Sequence, residues 1–139
     1  MKFFIPSRLY SVAAAVLALG LGGYLSACSY KNGYEPTPCN MPLTVSYKTD
    51  VLPILTNNCY RCHNAANYVL KTQGYFNMES FTQMQFYCNP VNGKGGVSPM
   101  VGNIRHDAGF NNMPFDGGKL SDCDIAIIKA WVDAGALNN

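Results

Sequence analysis

Five consecutive residues, Cys59-Tyr60-Arg61-Cys62-His63, constrain this chain more than any other feature. Two thiols stand three positions apart, and an imidazole follows the second directly. That spacing is the attachment pattern of a c-type haem. The two sulfurs can reach the vinyl groups on one porphyrin edge, and the adjacent imidazole can turn beneath the iron as an axial ligand. Two plainer roles exist for such a cysteine pair. A redox dithiol has no use for the following histidine, and a zinc site needs a second pair of ligands. The chain has no second Cys-x-x-Cys and no His-x-x-x-His. One motif predicts one haem c, with Cys59 and Cys62 as thioether positions and His63 as proximal ligand.

The start of the chain reads as an address. Lys2 and Arg8 precede an apolar stretch that opens at Val12 and runs to Leu25. This is the build of a secretory signal, and Gly20, Gly22 and Gly23 break it as a membrane-spanning helix. Leu25-Ser26-Ala27-Cys28 resembles the lipobox of bacterial lipoproteins. The resemblance implies removal of residues 1–27 and a lipid on Cys28. An ordinary signal cleavage after Ala27 would favour a smaller residue than Leu25. The expected location is the cell envelope, lipid-anchored and either facing the periplasm or in the outer membrane. Residues 28–43, polar and punctuated by Gly33, Pro36 and Pro38, read as a flexible tether. That leaves 44–139 as one domain.

Charge excludes a further class. Of the ten basic side chains, Lys2 and Arg8 belong to the leader, and the remainder equal the eight acidic ones. No basic run or patch points to nucleic acid.

The rest of the chain reads as all-α. A first helix is expected within residues 47–57, running straight into the haem cysteines. Pro53 must either kink it or sit in a first turn that begins near Asp50. A second is expected from Glu79 to about Cys88, capped by Asn77, with Phe81, Met84, Gln85 and Cys88 at helical spacing. Residues 89–118 show little periodicity and much Gly and Pro, so they read as a long loop ordered by a haem face. The last helix has Ser121 as cap, Asp122 and Asp124 in its first turn and Gly135 as its stop. Leu120, Ile125, Ile128 and Trp131/Val132 form its buried stripe.

Few residues can complete the iron. His63 and His106 are the two histidines, so a bis-histidine haem would use His106. A thioether is the other choice. Met113-Pro114 lies in the irregular stretch just before the last helix, and Pro99-Met100 lies in the same loop. Met113 is the expected sixth ligand, with Met100 and His106 as alternatives.

The Cys59–His63 motif, Met113-Pro114 in a loop and a closing helix at Leu120–Ala136 together resemble a small class I-type cytochrome c. More narrowly, Gly117-Gly118-Lys119-Leu120-Ser121-Asp122-Cys123-Asp124-Ile125 and Trp131-Val132-Asp133-Ala134-Gly135-Ala136 are similar to lipid-anchored monohaem cytochromes of Bacteroidetes-type bacteria. The resemblance spans Thr44 to Asn139. It implies a cytochrome c fold in which N- and C-terminal helices cross around one covalent haem under a long haem-covering loop. It implies Met113 as ligand, and His106 as a loop residue hydrogen-bonded near the haem edge. Cys88 departs from the family pattern.

That arrangement also bears on the remaining cysteines, Cys39, Cys88 and Cys123. Because the family's terminal helices meet, it implies a Cys39–Cys123 disulfide with Cys88 as a small buried hydrophobe. Cys88–Cys123 is the rival pairing. The function implied is single-electron transfer between protein partners by transient docking, not enzymatic catalysis. A five-coordinate gas-sensing or peroxide-handling module, or a docking subunit of a larger redox enzyme, is the alternative.

Overall fold

Ser46 opens the first helical segment of the domain. Its side chain accepts from the Thr49 amide at 3.4 Å, and its own amide donates to the Asp50 carboxylate at 2.7 Å. Two orphan donors at the helix start are thereby satisfied reciprocally. The computed structural model describes residues 39–116 and 118–139, so the expected leader, Cys28 and the tether up to residue 38 lie outside the described residues. Tyr47–Val51 is wound as a π-helix and passes directly into α1, Leu52–Asn58. Pro53 falls within the opening turn of α1, where its missing amide hydrogen costs little.

The chain then turns through α2, Tyr60–His63, and α3, Tyr68–Lys71. It continues in α4, Phe81–Cys88, in a short 3-10 turn at Pro90–Asn92, in α5, Pro99–Arg105, and in α6, Asp122–Asp133. Among the described residues there is no strand, and the fold class is all-α. No described helix is long and apolar enough to cross a membrane.

Two expectations need correction. The middle helix starts at Phe81 behind Ser80, not at Glu79 behind Asn77. The Asn77 side chain does accept from a backbone amide, that of Glu79 at 3.0 Å, but it closes the turn before the helix. The stretch expected as one long loop contains α5. Ser98 caps it by accepting from the Val101 amide, and Pro99 sits at its first position, where proline is favoured. Met100 is therefore helical, not a loop residue.

The core lies where α6 packs against α5 and the π-helical segment, and where α4 packs against α5. Val51, Leu55, Met84, Ile128 and Trp131 are its most deeply buried side chains. Tyr47 stacks on Trp131 at 5.2 Å between ring centres and meets Phe81 edge-on at 5.4 Å. The Trp131 indole donates to the Leu137 carbonyl at 2.8 Å, so its polar end is satisfied inside the core. Asn139 joins the same end of the domain to its start: its side-chain oxygen accepts from the Tyr47 amide at 2.7 Å.

The expected last helix is present with its cap. Ser121 accepts from the Asp124 amide at 3.0 Å and donates to the Asp124 carboxylate at 2.8 Å. Gly135, at φ +96°, takes the left-handed turn that ends the helix. Within the residues expected as tether, Cys39 is disulfide-bonded to Cys123, with Cα atoms 5.2 Å apart. Cys39 accordingly belongs to the compact unit that runs to Asn139.

Candidate haem-binding site

Helical winding puts Cys59 and Cys62 one turn apart, with His63 four residues beyond Cys59. Residues at these spacings share a face of the helix. All three line one cleft of about 500 Å³. Cofactor pockets span about 300–1,000 Å³, so the cleft is of suitable size. Its buried wall is apolar, from Phe76, Met78, Met100, Ile104 and Leu120. Arg61, Lys71, Asn111 and Asp116 also line it and are exposed, which places its polar groups toward solvent.

His63 is gripped from the segment 76–78. Its Nδ1 lies 2.9 Å from the Phe76 carbonyl oxygen, and its own carbonyl accepts from the Met78 amide at 2.7 Å. A carbonyl can only accept, so Nδ1 carries a proton, which in the neutral ring leaves the lone pair on Nε2. This is the tautomer a metal ligand requires, and the acceptor behind the ring fixes its orientation. Phe76 is held in turn. It stacks on Tyr87 of α4 at 3.9 Å, and the Tyr87 hydroxyl donates to the Tyr75 carbonyl at 2.9 Å. Sequence reasoning missed this second layer. Its decisive atom is a backbone oxygen thirteen residues away in an irregular segment, which no side-chain pattern marks.

Both motif thiols are unbonded. Burial pushes the Cys59 thiol up to about 11, against the smaller opposing effect of the Arg61 charge. The attacking thiol of a redox pair is a depressed one, so Cys59 is not set up for that role. Nor do the described residues gather three or more His, Cys, Asp or Glu side chains in a metal-holding group. A thiol joined to a porphyrin vinyl needs neither.

The candidate sixth ligands separate by place. Met100 also lines the cleft, but with Met78 and Met84 it belongs to the packed core and is 3% exposed. Gap-filling suits a thioether there. Met113 lines the cleft, is half-buried and stands outside both the core cluster and any helix. His106 is not among the residues lining the cleft. Its Nε2 lies 3.1 Å from the Met113 carbonyl oxygen and so must donate to it.

The remaining thiol, Cys88, is buried in α4 at 3% exposure, and burial pushes it up to about 12. It is unbonded, so the Cys88–Cys123 rival is not the pairing formed. Set against protein-family models, curated proteins and solved structures, the chain matches none.

Proposed function

We propose that this chain is an exported monohaem c-type cytochrome that carries single electrons between protein partners. The observation that carries the reading is convergence. Cys59, Cys62 and His63, which share a helical face, line the same cleft as Met113. The donor set and the cleft's apolar wall fit a haem. Bound there through thioethers from Cys59 and Cys62, one haem c would supply a one-electron iron couple.

The chain's own residues account for the rest. His63 offers Nε2 to the metal, and the Phe76 carbonyl on Nδ1–H makes the imidazole a stronger donor. Met113 offers a soft sulfur, which favours the lower oxidation state over a second imidazole. Phe76, Met78, Met100, Ile104 and Leu120 keep water from the buried wall. Two protein ligands leave no position for a small substrate, so the role is carriage, not catalysis. A cytochrome c arrangement of the terminal helices belongs to this proposal. So does lipid anchoring through Cys28 at the cell envelope, facing the periplasm or in the outer membrane.

Partners would dock through a small, transient contact. The near balance of charge in residues 28–139 gives weak electrostatic steering. Absorption spectroscopy of the purified holoprotein tests the ligand set. The oxidised form is expected to show the near-infrared charge-transfer band of a sulfur–iron bond, and the reduced form to bind carbon monoxide slowly. Rapid binding without the band contradicts the carrier and points to an open, gas-binding or peroxide-handling site.

A further inference from the structure

We propose that His106 is a positioning residue that holds Met113 in place for the metal. The proposal rests on the reading of Met113 given above. Met113 lies in no helix, so nothing in its local winding fixes its direction. Two hydrogen bonds from α5 do so instead. The Met113 amide donates to the Asn103 carbonyl at 3.1 Å, and the His106 Nε2–H donates to the Met113 carbonyl at 3.1 Å. Both peptide planes flanking its Cα are therefore tied to the end of one helix. The orientation of those planes sets the direction of the side chain.

The lead-in is fastened to the same helix end. The Asn111 amide donates to the Asn103 side chain at 3.0 Å, and Phe110 lies over Gly102 so closely that a Cβ there would come within 2.4 Å of its ring. Beyond Met113, Asp116 pairs with Arg61 of the haem motif, but that pair is exposed and weak.

The choice of residue at 106 is the independent sign. His106 closes α5 in the left-handed conformation, φ +61° and ψ +41°, and its amide caps the carbonyls of Gly102 and Asn103. Glycine is the commonest residue at that position and asparagine, aspartate and histidine tolerate it, but of these only histidine combines the turn with a long-reaching ring N–H. The ring supplies what glycine lacks, a donor that reaches the Met113 carbonyl seven residues on.

The experiment compares the haem-loaded full chain with His106→Gly, which suits the backbone and removes the donor, and His106→Gln, which restores an N–H donor. The readouts are the near-infrared band, the rate of carbon monoxide binding to the reduced protein, and the reduction potential. His106→Gly is expected to weaken the band, lower the potential and speed carbon monoxide binding about tenfold, the effect of one lost hydrogen bond. His106→Gln is expected to recover most of each. Unchanged band and rate in His106→Gly would overturn the positioning role while leaving Met113 as ligand. Equal damage in both variants would also overturn it, because the donor would then not be what matters. A wild type that lacks the band would remove the reading of Met113 itself.

Discussion

Met113→Ala is expected to abolish the near-infrared band of the oxidised holoprotein and open the reduced form to carbon monoxide. The expectation follows from what else could take the vacated position. Met78 and Met100 line the cleft wall but are packed into the core, and Met100 is carried by α5, so turning either sulfur toward a metal would disturb that packing. His106 does not line the cleft. With no replacement, a binding-competent state that holds roughly 1% of the population becomes all of it, and apparent carbon monoxide affinity rises about a hundredfold. The potential is expected to fall, since the thioether's preference for reduced iron is lost. Met100→Ala should keep the band and instead lower the unfolding midpoint, because it leaves a cavity in the core. If Met100→Ala loses the band and Met113→Ala keeps it, the ligand moves to α5.

The second large effect is on stability. Cys39→Ser combined with Cys123→Ser is expected to cost about 2–5 kcal/mol, measured as the guanidinium midpoint of the holoprotein. The bridge spans 84 residues of sequence and joins the start of the domain to the first turn of α6. Without it, residues 39–45 are held mainly by the burial of Val45 at 9% exposure. The double variant should still incorporate haem, because Cys59, Cys62 and His63 are untouched. An unchanged midpoint would mean that the bridge does not restrict the unfolded chain. Thiol titration of the unfolded, lipidated wild type supplies the control: with Cys28 acylated and Cys59 and Cys62 carrying haem, Cys88 alone should react.

Some of this was legible in the chain itself. α6 announced itself because Ser121, its acidic first turn, the Leu120–Trp131 stripe and Gly135 all agree on one element. α5 was missed although Ser98-Pro99 is a sound start signal, a cap followed by proline at the first position. It is seven residues long, is interrupted by Gly102 and sits among glycines, so too few turns exist for a periodicity to emerge. The expected middle helix starts two residues early because Asn77 is a real side-chain acceptor in a turn, and nothing local distinguishes that turn from a cap.

In the candidate site, Cys59, Cys62 and His63 were readable as a group because the proposed thioether and axial roles would dictate their spacing. The Phe76 carbonyl and the Tyr87 stack behind it were not, since they depend on where α4 returns the chain. His106 was legible as a possible ligand and illegible as the donor to Met113, which only the left-handed end of α5 explains.

The central claim is a haem held covalently at Cys59 and Cys62. Its most direct test is the intact mass of the denatured full chain after expression in a host that matures c-type haems. A cytochrome known to be loaded in that host serves as the control. The predicted result is the polypeptide plus one haem, resistant to acid–acetone extraction, with the haem lost as a stable adduct when Cys59 and Cys62 are both replaced by alanine. A mass equal to the polypeptide alone, beside a loaded control, would contradict the account.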